Sequence, residues 1–179
     1  MMMKKFLLMA CFLVTTGCVG IPENIKPVEP FDAQKYLGKW YEIARLDHSF
    51  ERGLTAINAE YSLNEDESLS VLNRGYSVAK KEWKEAKGVA YFAESSNQGH
   101  LKVSFFRPFY ASYVVFELDE NYQYSLVTSW DKSYFWILAR SPNMDEKLKV
   151  ALIAKAKALG FETEKLIYVD QELPNETNR

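Results

Sequence analysis

The stretch Gly38-Lys39-Trp40-Tyr41-Glu42-Ile43-Ala44-Arg45 decides the fold of this 179-residue chain. Its aromatic and β-branched residues favour a strand, and Gly38 marks the point where that strand begins. The residues before it, 31–37, predict a short helical turn that closes one end of the fold. A single strand is not stable alone, so the rest of the chain must supply its partners.

Seven further strands are predicted between this stretch and Arg140. The chain there consists of short aromatic and β-branched runs separated by polar turn residues, at the roughly 8 to 12 residue spacing of an all-β barrel or sandwich. Short polar connections such as residues 64–68 and 119–121 join antiparallel neighbours, which predicts an up-and-down meander. Counting the first strand, the predicted runs are residues 39–46, 57–63, 69–76, 83–93, 100–106, 112–118, 122–130 and 134–140.

Closing eight antiparallel strands into a barrel removes both sheet edges and leaves an interior just wide enough for one small ligand. After Arg140, apolar residues recur at helical spacing from Met144 to Leu159, and Gly160 follows them. We therefore predict an all-β fold, an eight-stranded up-and-down antiparallel β-barrel with one C-terminal α-helix packed outside. Residues 166–169 are the only strand-like segment beyond that helix.

The N-terminus is typical of an exported lipoprotein. Lys4 and Lys5 precede an apolar run over residues 6–14, which is shorter than the about 20 apolar residues that a membrane-spanning helix needs. The following Thr15-Thr16-Gly17-Cys18 resembles the lipobox of bacterial lipoproteins, and this implies cleavage before Cys18 and its acylation. In such lipoproteins, Val19 rather than Asp after the cysteine points to the outer membrane. The alternative is an ordinary secretory signal in which Cys18 is incidental.

Processing at Cys18 would remove two lysines and Cys11, which changes the formal net charge from −2 to −4 and leaves Cys18 as the one cysteine. No intramolecular disulfide is then available. A mildly acidic domain also offers no electrostatic footprint for nucleic acid. The predicted divisions are a lipoprotein signal peptide over residues 1–17, a proline-rich lipidated tether over residues 18–30 and one folded domain over residues 31–179.

Three positions carry a resemblance to a known family. Gly38 and Trp40 form a Gly-x-Trp element, and Arg140 ends the last predicted strand about 100 residues later, while Asp131 and Tyr134 partly match a further element before that strand. With eight strands between these positions and a helix after them, the chain resembles the lipocalins. Within that family it is similar to the bacterial outer-membrane lipoprotein lipocalins, with apolipoprotein D as the animal relative.

Trp40 and Arg140 have a structural role in this interpretation. A guanidinium group over an indole face contributes about 0.5 to 2 kcal/mol and closes the barrel end against water. The alternative is that Trp40 is simply a core residue and Arg140 a solvated strand end.

Alternation along the strands predicts which side chains face the lumen, because the more apolar or smaller set of each strand is the better candidate. Small residues facing inward, such as Gly88 and Ala90, would leave a cavity where large ones would fill it. The alternative is that these faces pack a solid core; the resemblance favours a cavity. The predicted ligand-binding residues are Ala59, Tyr61, Val71, Asn73, Gly88, Ala90, Leu101, Val103, Phe105, Tyr113 and Trp136.

An elongated cavity of this composition favours an acyl chain, and an arginine near the mouth would meet a carboxylate or phosphate. The sequence leaves the choice open among nearby lysines and four arginines, namely Arg45, Arg52, Arg74 and Arg107. The expected function is storage, transport or scavenging of a fatty acid or lysophospholipid by a lipid-anchored protein at the outer membrane, facing the periplasm. A homodimer is a further expectation.

Catalysis is not expected, although an enzyme or an envelope-assembly factor on the same barrel is the alternative. Asp47-His48-Ser49 has the residue types of a catalytic triad, but adjacent side chains point in different directions and need not converge. No His, Cys or carboxylate spacing suggests a metal site, and we expect no cofactor. Lipocalins that act as isomerases use a pocket cysteine, which the mature chain lacks, and His100 begins a strand near a turn, which disfavours a haem ligand.

Overall fold

The computed structural model describes residues 19–173, so the predicted signal peptide and Cys18 lie outside the described part. Eight antiparallel strands follow one another as a meander, and each pairs with the next. The first strand also pairs with the eighth, which closes a barrel. The predicted fold class is therefore confirmed. The strands are β1 Gly38–Arg45, β2 Leu54–Leu63, β3 Leu69–Ser77, β4 Glu82–Phe92, β5 His100–Phe106, β6 Phe109–Leu118, β7 Tyr124–Thr128 and β8 Phe135–Ala139.

The seam between β1 and β2 is closed in two ways. Gly38 to Tyr41 pair directly with β2, whereas Ala44 and Arg45, at the C-terminal end of β1, pair with the two-residue strand β9, Ile167–Tyr168. Just beyond β9, the side-chain amide of Gln171 donates hydrogen bonds to the carbonyl oxygens of Glu42 and Ile57. The C-terminal segment therefore completes the wall where β1 and β2 diverge.

The predicted helix is α2, Glu146–Ala158, and it packs on the outside of the barrel. Asp145 caps its N-terminus by accepting from the backbone of Leu148, and Gly160 follows its end with a φ of +88°. Leu152 and Ala156 are buried against outward-facing residues of the wall, and together these residues form what we call the outer cluster. Its wall residues include Ile43, Ala44, Val114, Leu126, Ile137 and Ala139. A stack of Phe116, Phe135 and Phe161 fills the space next to them.

A second group of buried side chains fills the inside of the barrel, and we call it the inner cluster. Its buried members are Phe31, Tyr36, Trp40, Tyr61, Leu69, Val71, Ala90, Leu101, Val115, Tyr122, Val127 and Leu138. One end of the barrel is sealed, and we call it the closed end. Here the short helix α1, Ala33–Tyr36, crosses beneath the barrel, with Asp32 as its N-cap. Trp40 is fully buried, and its indole nitrogen donates to the carbonyl oxygen of Tyr36 at 2.8 Å. The Arg140 guanidinium lies 4.0 Å from the centroid of the Trp40 ring.

Arg140 also fastens the elements around that ring. Its guanidinium donates to the carbonyl oxygens of Lys35 at 2.8 Å, Lys39 at 2.9 Å and Tyr122 at 3.2 Å. Gly38 has a φ of +89°, and a Cβ atom there would lie 3.5 Å from the guanidinium. A residue without a side chain therefore suits this turn into β1, because others rarely adopt that backbone conformation.

The segment predicted as a tether is partly packed on the barrel. Ile25 is buried in the outer cluster beside α2, and Val28 exchanges backbone hydrogen bonds with Val115 and Gly99. Pro22 is buried as well, and its carbonyl oxygen accepts from the backbone of Ile25, so any free tether is confined to the residues before Pro22.

We expect Trp40→Ala to lower the free energy of unfolding by about 3 to 5 kcal/mol, because it empties the space of a large buried aromatic ring. Trp83→Ala is the matched control, since Trp83 is 47% exposed on β4. Urea unfolding followed by circular dichroism measures both. Equal losses in the two variants would show that Trp40 has no special role in closing the barrel.

Candidate functional site

The predicted lining residues are distributed along the depth of the barrel. Tyr61, Val71, Ala90 and Leu101 are buried in the inner cluster. Phe105 is 44% exposed at the other end. The remaining predicted residues are half-buried, and these are Ala59, Asn73, Gly88, Val103, Tyr113 and Trp136. The predicted lining residues therefore range from buried to exposed, and Phe105 is the most exposed of them.

A group of tyrosines forms the floor of the interior. The hydroxyl of Tyr113 lies within hydrogen-bond distance of those of Tyr36, at 2.8 Å, and Tyr61, at 2.9 Å. Tyr36 also bonds the Ser125 hydroxyl at 3.1 Å. Burial raises the pKa of Tyr36 to about 12 and raises the pKa values of Tyr61 and Tyr113 as well, so all three stay neutral. Sequence analysis did not single out Tyr36 or Ser125.

Gly88 does not leave the empty space that a small residue was expected to leave. The Phe105 ring lies against it, and a Cβ atom at Gly88 would come within 2.9 Å of two ring carbons. Gly88 therefore makes room for an aromatic ring at the edge of the lumen. Ala86, the next small residue of that face, is exposed.

A buried charged network lies near the open end, on the inner side of β1. The Arg45 guanidinium lies 3.2 Å from the Glu42 carboxylate and 3.6 Å from the Glu51 carboxylate. The His48 Nε2 atom lies 2.9 Å from Glu51, and the Trp136 indole nitrogen donates to the same carboxylate oxygen at 3.3 Å. All four charged or titratable side chains are buried, and Phe50 stacks over His48 at 3.9 Å.

A β-bulge brings Glu42 and Arg45 to the same face. Glu42 pairs with Leu138 and Arg45 with Trp136, both from the inner cluster, but the register shifts between Glu42 and Ala44. The extra residue lets two consecutive residues, Ile43 and Ala44, face the outer cluster. Strict alternation from Trp40 would have placed Arg45 on the outside.

Two carboxylates share one guanidinium in this network. Burial raises the pKa of Glu42 well above its ordinary value of 4.5, and the nearby Glu51 carboxylate raises it further, while Arg45 opposes the shift. Glu42 is therefore a carboxyl group whose neutral form is favoured by its surroundings. Within residues 19–173, the Arg45 Nε atom makes no hydrogen bond, and it lies 3.6 Å from the Glu51 carboxylate.

The structure separates the four arginines that the sequence left open. Arg52 is exposed and pairs with Asp47 at 2.7 Å, and Arg74 is exposed and pairs with Glu85 on the next strand. Arg107 donates to the Tyr91 hydroxyl on the outside of β4. Of these four, only Arg45 lies inside the barrel, where its side chain is 3% exposed.

The triad-like Asp47-His48-Ser49 does not form a catalytic arrangement. Asp47 bonds Arg52, and His48 contacts Glu51, so neither orients the other. His100 bonds Ser112 at 2.9 Å, and its neighbour Leu101, not His100, belongs to the inner cluster. Within residues 19–173, no group of three His, Cys, Asp or Glu residues is placed to hold a metal ion.

A shallow depression of about 480 Å³ lies elsewhere, on the outer wall beside the turn between β2 and β3. Asp66, Ser70, Tyr91 and Arg107 line it. It is open to solvent, and charged and hydroxyl side chains make up much of its lining, so it does not enclose an apolar ligand. The barrel interior is the candidate site.

The barrel, the external helix and the Arg140 contact with Trp40 are the features of a lipocalin. A family model described as a lipocalin-like domain matches residues 31–171, and the chain belongs to this family. It is 53% identical to the outer membrane lipoprotein Blc of Vibrio cholerae, over 95% of this chain and all of that protein. It is 36% identical to mouse apolipoprotein D, over 80% of this chain and 78% of that protein.

A solved structure agrees with the fold. Insecticyanin from the tobacco hornworm Manduca sexta superposes with a TM-score of 0.66 at 21% identity, over 84% of this chain and 86% of that chain. At this identity the likeness concerns the fold alone. The predicted resemblance to bacterial lipoprotein lipocalins is confirmed by the relatives described above.

We expect Glu42→Gln to stabilise the protein at neutral and alkaline pH. Glu42 has a raised pKa in the folded state, so the native state loses stability as the pH rises above about 4.5, the value in the unfolded chain, through that raised pKa. The neutral amide avoids this loss and still accepts from Arg45. The stability difference from wild type should therefore vanish at acidic pH.

Urea unfolding at a series of pH values from about 4 to about 9, which starts below the ordinary carboxyl pKa, measures this difference. Glu60→Gln is the control, because Glu60 is exposed on β2. A Glu42→Gln variant that loses stability at high pH would show that an ionised Glu42 is required in the network.

Proposed function

We propose that this protein binds a fatty acid or a lysophospholipid inside the barrel and stores, transports or scavenges it at the outer membrane. The observation that carries the proposal is an apolar barrel interior that ends, near its open end, at a single inward-facing arginine. The closed end is sealed by Trp40 and Arg140, so a ligand enters from the open end.

The partial burial of inward-facing residues supports the presence of a cavity rather than a solidly packed core. Val103 and Trp136 belong to strands whose neighbours pack the inner cluster, yet both remain half-buried. A close-packed interior leaves almost no gaps larger than a water molecule. The surface that these side chains retain therefore indicates free space beside them, in the part of the barrel nearer the open end.

Arg45 supplies the polar end of the proposed site. The buried Arg45 guanidinium supplies a positive charge, and charge-assisted bonds of a guanidinium group to a carboxylate or phosphate oxygen are stronger than neutral ones. Burial raises the pKa of Glu42 and so favours its neutral form, which lowers the repulsion between this carboxyl group and an incoming anion. The tyrosine floor is uncharged and suits the far end of an acyl chain or ordered water.

The proposed location is the outer membrane, through an acylated Cys18 and on the periplasmic side. The lipobox-like sequence before Cys18 and the relative described as an outer membrane lipoprotein both support it. Within residues 19–173, no helix is long and apolar enough to cross a membrane. We propose a binding protein rather than an enzyme, because the titratable groups near the mouth bind one another.

We expect Val103→Trp to weaken ligand binding without unfolding the protein, because a larger ring would occupy free space that the acyl chain needs. Val89→Trp is the matched control, since Val89 lies on the outer face of the paired strand. Displacement of a fluorescent fatty acid and thermal unfolding are measured together. If Val103→Trp melts far below the control, the position is packed core and the proposed cavity is misplaced.

We expect Arg45→Gln to lower the affinity for palmitic acid by about tenfold or more, as the loss of a charge-assisted bond implies. Affinity for hexadecanol, which has the same chain length and no charge, should change far less. Arg52→Gln is the control, because Arg52 is exposed and paired outside the barrel. Equal losses for the acid and the alcohol would show that Arg45 only supports the wall.

A further inference from the structure

Half of the large apolar side chains that are exposed in the described chain lie at the open end of the barrel. Phe106 is the extreme case, with 77% of its surface exposed. Single exposed apolar residues are ordinary, but a group at one end of a molecule marks an interaction surface. The six residues are Phe50, Val78, Trp83, Phe105, Phe106 and Phe109.

Five of these six belong to two neighbouring hairpins. The β3–β4 hairpin stands beyond the rest of the wall, because β4 pairs with β5 only from Val89 to Phe92. Residues 78–87 are all exposed, on both faces of β4. The β5–β6 hairpin projects less far than the β3–β4 hairpin, because its last strand pair is Phe106 with Phe109. A notch in the wall therefore opens between the two hairpins, with Phe105 over Gly88 at its base.

We define the mouth patch as residues 78–87 and 105–109. It presents four lysines, Lys80, Lys81, Lys84 and Lys87, against two carboxylates, Glu82 and Glu85. The Arg107 side chain instead reaches Tyr91 and the outer-wall depression beside Asp66. The whole chain carries a net charge of −2, so this patch is a basic surface on an acidic protein.

We propose that the mouth patch docks on the surface of a phospholipid bilayer that contains anionic lipids. Aromatic side chains at a membrane interface bury their rings at the headgroup level, and lysines beside them are attracted to anionic headgroups. Docking in this position turns the notch, and the lumen behind it, toward the bilayer. The proposal concerns the outer surface and does not depend on which lipid the barrel holds.

A second copy of this chain is a weaker candidate for the same surface. A twofold interface brings the same patch of both copies together, so four lysines of one copy would face four of the other. Such like charges oppose association. The positive charge instead complements an anionic bilayer.

The test uses residues 19–179, which contain every strand and helix of the described fold and lack the proposed leader and anchor. Sedimentation with vesicles of phosphatidylcholine alone, and of phosphatidylcholine mixed equally with phosphatidylglycerol, gives the partition coefficient. We expect binding to the mixed vesicles that weakens as salt is added, because salt screens the lysines.

Phe106→Ser/Phe109→Ser should lower partition into the mixed vesicles by about tenfold or more, since it removes two rings that would insert. The control is Val150→Ser/Tyr168→Ser, which alters two exposed apolar side chains on α2 and β9. Lys80→Glu/Lys81→Glu should cause a comparable loss, whereas Lys147→Glu/Lys157→Glu on the exposed side of α2 should not. Fluorescent fatty acid affinity should stay unchanged in the aromatic variant, which separates this test from that of the proposed function.

Two results would overturn the proposal. One is vesicle binding that the patch and control variants alter equally. The other is a concentration-dependent dimer in analytical ultracentrifugation that Phe106→Ser/Phe109→Ser dissociates while vesicle binding is unchanged, which would assign the patch to a second copy.

Discussion

The contact between the Arg140 guanidinium and the Trp40 ring is the constraint on which the rest of the structure depends. Arg140 ends the last barrel strand, Trp40 lies in the first, and the hydrogen bonds of Arg140 reach α1 and the connection between β6 and β7. One side chain therefore ties together segments that are about 100 residues apart in sequence. Because this end is filled, the proposed ligand entry is at the other end of the barrel.

The interior is organised by where polar groups are neutral and where one is charged. At the floor, burial keeps three tyrosine hydroxyls neutral, and they satisfy one another. Near the mouth, burial and the nearby Glu51 carboxylate raise the pKa of Glu42, and the Arg45 guanidinium lies beside both carboxylates. An unpaired buried charge would be costly, and these contacts give the Arg45 guanidinium carboxylate partners.

Most of the fold was predictable because it rests on periodic patterns. Alternation along the strands, polar turns and the change to helical spacing after Arg140 predict the eight strands and α2, and the Gly38, Trp40 and Arg140 positions predict the family. The start of β6 differs, because the hairpin pairs Phe106 with Phe109 and so extends that strand back to Phe109. Residues 122–130 were also expected to be one strand, but β7 is limited to Tyr124–Thr128 by turns on both sides.

The charged network was not predictable in the same way. Glu42 lies two residues after Trp40 on β1, so alternation alone predicts that its carboxylate faces the inside of the barrel. Arg45 lies five residues after Trp40, so alternation predicts that it faces outward, and the bulge between Glu42 and Ala44 brings it inside. His48 and Glu51 lie in a loop, where no periodicity applies. Alternation fails at bulges and loops because one extra residue reverses every later side chain. The same argument applies to Gly88, whose role depends on a ring from another strand.

The proposed anchor and the proposed mouth patch would act on the same membrane. Pro22 and Ile25 are already packed on the barrel, so the chain from Pro22 back to Cys18 spans at most about 14 Å, at 3.3 to 3.6 Å per residue. An acylated Cys18 would then hold the barrel at a high effective concentration next to the bilayer. Under that constraint, a patch of a few aromatic rings and lysines need not bind tightly by itself. It needs only to be favourable enough to select, among the orientations that the short tether permits, the one in which the open end faces the lipid.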